Sequence, residues 1–325
     1  KETNEMRTIT QTHTGKIITD TDLGLEYLYV GDYGKQNNIK ADFLGYTKRI
    51  EKVEHTPVDI TEKLVVTVST QKGCPMNCNF CDCPKPGYKG NASLAEMIHE
   101  ITGGIALSGI RHGKRLNVHF ARMGEPTFNF DVIKAAKIIG KMSNGIFDEY
   151  HPVVSTMMPK SNKNLMAFLM QWTGLQNNET WNGGIGLQLS INTLNENDRN
   201  AMFRSHSLSL EKISEIADEL PYPVGRKYTL NFAVTSKSDL NLNTLDWYFD
   251  KKKFIIKITP IHETKEALAN GYEIVSDFDV YEQFEKPLTA EGWDVIVFVP
   301  SKEEDADRIT CGNALLAIKD FEAKK

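Results

Sequence analysis

Apolar residues along positions 64–301 follow two periods that alternate, one typical of buried strands and one typical of amphipathic helices. β-Branched and aromatic runs bounded by turn residues predict seven strands, at residues 64–70, 117–120, 152–156, 185–190, 228–234, 254–258 and 295–299. Helical periods fill the intervals. Ser93 and Glu96 form a capping box that predicts the start of the first helix, and Pro221 predicts the end of a later one.

This alternation predicts an α/β protein with a parallel sheet and helical crossovers. No Pro/Gly/Ser-rich linker interrupts residues 64–301, so we expect one partial (β/α)6 barrel over residues 61–301. Residues 1–60 are predicted to form a small β-rich N-terminal extension, and residues 302–325 a C-terminal loop and tail. Ligands of such barrels bind at the C-terminal ends of the strands, which directs attention to the residues there.

Composition narrows the class of protein. The chain has 325 residues, of which 40% are hydrophobic and 25% are charged, which excludes a disordered or fibrous protein. The net charge of −5 argues against a general nucleic-acid coating protein. Because no apolar run is long enough to span a membrane and residues 1–5 are polar, we expect a cytoplasmic protein without membrane contact. We also expect a monomer.

Four of the five cysteines fall within ten residues: Cys74, Cys78, Cys81 and Cys83. The first three have the spacing C-x3-C-x2-C, and three thiolates on one loop suit a 4Fe-4S cluster whose fourth iron stays open. The alternative is a zinc knuckle, with Cys83 or His119 as the fourth ligand. The position of the loop directly after the first barrel strand favours the iron–sulfur cluster and leaves Cys83 outside the ligand set.

The cysteine spacing, Phe80 and the strand–helix alternation together resemble the radical SAM superfamily. That resemblance implies a partial barrel and a reduced 4Fe-4S cluster bound by Cys74, Cys78 and Cys81. It also implies cleavage of S-adenosylmethionine to a 5′-deoxyadenosyl radical. An electron donor such as flavodoxin or ferredoxin is then required.

The sequence Met123-Gly124-Glu125-Pro126 resembles the RlmN/Cfr family, which methylates a ring carbon of adenine in RNA. Later strand ends resemble that family in the same order along the chain. The resemblance implies a structured RNA substrate and the following residues around S-adenosylmethionine: Gly124, Glu125, Ser155, Ser190, Asn192 and His262.

The same resemblance assigns Cys311 as the cysteine that carries the methyl group and Glu54 as the base that removes the ring proton. The family's second, resolving cysteine is replaced here by Thr67. Two other functions remain open. The chain could modify a peptide or small molecule with Cys311 as hydrogen-atom donor or acceptor, or it could be a zinc-stabilised binding protein without redox chemistry.

Overall fold

The computed structural model describes residues 7–31, 59–176, 184–238, 240–275, 278–300 and 302–318. Their strands form one ten-stranded sheet in which spatial order follows chain order. Neighbouring strands are therefore also neighbours along the chain, as short un-knotted connections require.

Seven parallel strands form the barrel, and all seven contain segments that the sequence predicts as strands. The bounds are β4 (Leu64–Val68), β5 (Gly113–Phe120), β6 (Phe147–Thr156), β7 (Gly186–Ser190), β8 (Tyr228–Val234), β9 (Phe254–Pro260) and β10 (Val295–Val297). The expected α/β partial barrel is confirmed. β5 and β6 begin several residues earlier than predicted, because their first halves carry charged side chains such as Arg115 and Glu149.

Three antiparallel strands precede the barrel: β1 (Arg7–Gln11), β2 (Gly15–Asp20) and β3 (Leu25–Val30). β3 pairs with β4 in the register Tyr29↔Val66, so these strands continue the barrel sheet. All six residues of β3 are buried, including Glu26, whose side chain has no solvent exposure.

Nine helices lie among the described residues: α1 (Leu94–Ser108), α2 (Asp131–Ser143), α3 (Leu165–Gln176), α4 (Glu196–Met202), α5 (Leu210–Glu219), α6 (Leu242–Tyr248), α7 (Lys265–Ala269), α8 (Phe278–Ala290) and α9 (Lys302–Ala306). The capping box predicted at the start of α1 is present: the Ser93 hydroxyl accepts from the Glu96 amide, and the Glu96 carboxylate accepts from the Ser93 amide. The sequence analysis does not predict the short helices α4, α7 and α9. None of the described helices is long and apolar enough to cross a membrane.

The outward face of the parallel strands packs against the helices and forms the main hydrophobic core. Trp172 on α3 shows how this packing is fixed. Its ring stacks on Phe168, meets Phe120 edge-on, and donates its indole N–H to the Gly186 carbonyl oxygen at 3.0 Å. One aromatic side chain thereby joins helix α3 to strands β5 and β7.

The inward face of the same strands is polar. Side chains alternate across a strand, so the residues between the core positions point into the barrel lumen. The sheet register pairs Thr67 with His119, Ser155 with Gln188 and Asn231 with Lys257, all of them half-buried. The lumen is thus a polar cleft that opens at the strand ends.

Candidate active site

The three cysteines of the motif lie on the loop that follows β4, and each is half-buried. Gly73 begins this loop with φ of 75°, and a Cβ there would lie 1.8 Å from the Gly87 carbonyl oxygen, so only glycine fits. Phe80 anchors the other end by edge-on contacts with Phe203 and Tyr272 at centroid distances of 5.7 and 6.5 Å. The segment that carries the three thiols is therefore fixed near both of its ends.

Burial raises the pKa of the Cys74 thiol to about 12 and raises the pKa of Cys78. A hydrogen bond with Cys83, together with burial, raises the pKa of Cys81. Buried thiols of this kind ionise readily only when a positive charge lies close to them. The iron of a bound cluster would supply that charge. Three soft sulfur donors on one loop thus fit a 4Fe-4S cluster. Among the described residues, no three metal-ligating side chains converge closely enough to hold a single ion.

Cys83 differs from the three motif cysteines in its surroundings. It is 4% exposed, and its thiol donates to the Arg122 carbonyl oxygen at 3.2 Å. It packs with Met123, Ala314 and Leu316 in a small apolar cluster. Its exclusion from the ligand set stays a prediction, and its burial gives it a packing role that needs no metal.

Gly124 and Glu125 form a tight turn after β5. Gly124 has φ of 99°, and a Cβ there would lie 2.5 Å from the Gln71 Cβ. The Glu125 carboxylate is 3% exposed and accepts from the Thr127 hydroxyl at 2.8 Å and the Met157 amide at 3.0 Å. Burial raises the pKa of this carboxyl, while the hydrogen bonds lower it. Glu125 therefore ties the ends of β5 and β6 together at the predicted cofactor site.

A cavity of about 470 Å³ opens beyond the ends of β7, β8 and β9. Asn192, one of the predicted cofactor residues, lines it; its Oδ1 accepts from the Ala233 amide at 3.4 Å. The walls mix apolar groups such as Met202 and Ile261 with polar groups such as Asn195. This combination suits a ligand with one flat apolar part and several hydrogen-bonding groups.

The other predicted cofactor residues lie around the same mouth. Ser155 and Ser190 are half-buried residues at the ends of β6 and β7. His262 follows β9, and its buried Nδ1 lies 3.6 Å from a carboxylate oxygen of Asp305. The structure thus brings Gly124, Glu125, Ser155, Ser190, Asn192 and His262 to the C-terminal ends of the barrel strands. Their roles toward a ligand stay predictions.

Cys311 is exposed on a turn that packs against the cysteine loop. The Asp82 amide donates to the Gly312 carbonyl oxygen at 3.0 Å, and a Cβ on Gly312 would lie 3.6 Å from the Cys81 sulfur. Loss of hydration raises the pKa of the Cys311 thiol, and the Cys83 thiol raises it further. The cations of Lys257 and Arg122 lower this pKa in part.

The sequence analysis missed Lys257 as a lumen residue and named His119 only as a possible zinc ligand. Burial lowers the pKa of Lys257 to about 8, and burial together with the cations of Lys257, Lys63 and Arg226 lowers the pKa of His119 to about 3. His119 is therefore neutral near pH 7. The available signal was a lysine in the otherwise apolar run of β9. Glu54, the predicted base, lies outside the described residues.

Comparison with known proteins adds independent evidence. No protein-family model matches the chain. It is 32% identical over 105 residues to a dual-specificity RNA methyltransferase RlmN from Wolinella succinogenes, covering 31% of this chain and 29% of that protein. It is 27% identical over 180 residues to the RlmN of Nautilia profundicola, covering 53% and 46%. A radical SAM methyltransferase structure from Sphaerobacter thermophilus superposes with a TM-score of 0.64 at 17% identity, covering 95% and 81%.

The chain spans less than half the length of these curated relatives. The structural likeness shows a shared fold. The resemblance to the radical SAM superfamily and its RlmN/Cfr-like branch is confirmed.

The turn at Gly124 generates a stability prediction. Gly124→Ala should lower the free energy of unfolding by about 1–2 kcal/mol for the positive φ and by about 1–3 kcal/mol more for the clash with Gln71. Gly292→Ala is the matched control, since Gly292 has φ of 83° with nothing within 4 Å of a new Cβ. Urea unfolding measures both variants. Equal losses would show that the contact with Gln71 is unimportant.

Proposed function

We propose that this relative of the RlmN-type proteins is a radical SAM enzyme that methylates an sp2 carbon of an RNA adenine through a methylated Cys311. The observation that carries the proposal is the packing of the Cys311 turn on the cysteine loop, through the Asp82–Gly312 hydrogen bond. A thiol that collects a methyl group must reach the place where S-adenosylmethionine is bound. The names of the relatives support RNA as the substrate.

In this proposal Cys74, Cys78 and Cys81 hold the 4Fe-4S cluster. When bound and reduced by a donor such as flavodoxin or ferredoxin, the cluster supplies the electron that cleaves S-adenosylmethionine. The chain's own contribution is to fix the three sulfurs on a loop closed by Gly73 and by the Phe80 contacts. Cys83, held by its bond to Arg122, stays outside the ligand set.

The 470 Å³ cavity is the proposed site for the adenosine part of S-adenosylmethionine. It lies beyond β7, β8 and β9, beside the chain segment that contacts the cysteine loop: the Asn79 amide donates to the Met202 carbonyl oxygen at 3.0 Å. Ser155, Ser190 and His262 around the mouth would bind ribose and carboxylate groups. Gly124 and Glu125 would face the amino group, because a carboxylate and backbone carbonyls accept from an ammonium.

An aromatic ring carbon is a weak nucleophile, so direct transfer of a methyl cation to it is slow. Sulfur is a better acceptor, and the thiolate is its reactive form. Loss of hydration and the Cys83 thiol raise the pKa of the Cys311 thiol, and the cations of Lys257 and Arg122 partly offset that rise. Thr67 faces the lumen beside His119 and offers no thiol for resolving a thioether link. Glu54 remains the proposed proton acceptor.

The cluster assignment is tested by paired cysteine variants. Cys81→Ala removes a proposed ligand and should abolish the brown colour of anaerobically reconstituted protein. Cys83→Ala removes a buried thiol that is not a ligand and should retain the colour and the iron content. Visible absorbance and iron analysis measure both. Loss of iron in Cys83→Ala would contradict the assignment.

The cavity assignment is tested by filling it. Ala233→Leu places a larger side chain in the cavity wall and should weaken S-adenosylmethionine binding by about tenfold or more, which corresponds to about 1.4 kcal/mol. Ala269→Leu makes the same change on the exposed face of α7 and serves as the control. Titration calorimetry on the cluster-loaded protein compares them. Unchanged affinity in Ala233→Leu would place the cofactor elsewhere.

The methyl-carrier role is tested by mass. Incubation of reconstituted protein with methyl-labelled S-adenosylmethionine and reductant should add one labelled methyl group to the peptide containing Cys311. Cys311→Ala should gain no label under the same conditions. If 5′-deoxyadenosine forms while Cys311 stays unmodified, the hydrogen-atom function replaces methyl transfer.

A further inference from the structure

We propose that the buried ion pair between Glu26 and Arg122 is a clamp that seats the Cys311 turn over the cysteine loop, and that both are positioning residues. The inference deepens the proposed function and rests on it for the role of Cys311. The pair joins three parts of the chain that lie far apart in sequence: strand β3, the end of β5 and the C-terminal segment.

Arg122 holds the segment on both sides of Cys311. One terminal nitrogen of its guanidinium donates to the Arg308 carbonyl oxygen at 3.0 Å and to the Asn313 carbonyl oxygen at 3.1 Å. Its Nε donates to the Glu26 carboxylate at 2.7 Å. The planar guanidinium can make these bonds at once because its donors are fixed in direction. The turn is thus fastened three residues before Cys311 and two residues after it.

Glu26 completes the clamp from the opposite side. Its Oε1 accepts from the Leu315 amide at 3.1 Å, and its Oε2 accepts from the Leu316 amide at 2.9 Å. Both carboxylate oxygens are therefore bound to the C-terminal segment. Such charge-assisted bonds are about twice as strong as neutral ones.

The burial of the Glu26–Arg122 pair indicates that its role is to position the Cys311 turn. The side chains of Arg122 and Glu26 are 2% and 0% exposed. A buried ion pair gains little or no net stability over a well-packed apolar pair, because both charges lose their hydration. What an apolar pair would lack is the ability to bind two carbonyl oxygens and two amides of the segment. Cys311 itself stays exposed between these fixed points.

The arrangement also connects the turn to the cluster loop. The Arg122 carbonyl oxygen accepts from the Cys83 thiol, and Asp82 donates its amide to Gly312. Cys83 and Arg122 therefore form one continuous path of hydrogen bonds from the cysteine loop to the clamp. A shift of the pair would change where Cys311 stands relative to the bound cofactor.

The test uses Glu26→Gln/Arg122→Met in the cluster-loaded protein, because the double variant leaves no uncompensated buried charge. Hydrogen exchange should accelerate by at least about tenfold at the Leu315 and Leu316 amides, since a hydrogen bond to a charged group is worth more than a factor of ten. The rate constant of Cys311 methylation should fall by about tenfold, with half-saturation by S-adenosylmethionine unchanged. Arg115→Met, which breaks the half-exposed pair with Glu149, is the control.

Glu26→Asp is the milder variant, which keeps the charge and shortens its reach; it should accelerate exchange at the same two amides. Wild-type exchange at Leu315 and Leu316 in a folded double variant would overturn the clamp. Faster exchange together with a Cys311 that is never methylated in the wild type would support the clamp and overturn the proposed function. The two conclusions therefore fail separately.

Discussion

Alternation of side chains across parallel strands is the constraint on which the rest of this structure depends. Each barrel strand must present apolar side chains to the helix layer on one face and polar side chains to the lumen on the other. In β9, Ile256 and Ile258 are fully buried, while Lys257 between them faces the lumen. The same constraint aligns all C-terminal strand ends at one mouth. Residues as distant in sequence as Cys74 and His262 therefore both follow strands that end at this edge of the barrel.

The parts of the fold predictable from sequence are those governed by local periodicity. Strands such as Leu64–Val68 and the capped start of α1 follow from residues within one element. β3 pairs with β4 although a long segment of chain separates the two strands. The composition of residues 1–60 therefore predicts strands but does not indicate which barrel strand they pair with. The sequence analysis likewise missed the first half of β5, because Lys114 and Arg115 interrupt the apolar pattern. Charged side chains are common at the solvent-exposed end of a barrel strand.

The candidate site divides in the same way. The spacing of Cys74, Cys78 and Cys81 indicates a shared donor set, because one loop carries all three thiols. The place of Cys311 depends instead on contacts across more than two hundred residues, as the Asp82–Gly312 bond shows. Glu26 is an unusual carboxylate in an apolar strand, which is a signal, but its partner Arg122 is 96 residues away. Sequence can flag such a buried charge; only the fold identifies what it binds.

Charge must also be considered locally. The net charge of −5 describes the whole chain, whereas a substrate meets the field of the cleft it enters. Burial of His119 in the lumen, together with the cations of Lys257, Lys63 and Arg226, lowers the pKa of its imidazole to about 3. Low-dielectric walls strengthen that positive field relative to water. The charge that a ligand meets in this cleft is therefore set by the side chains lining it and not by the net charge of the chain.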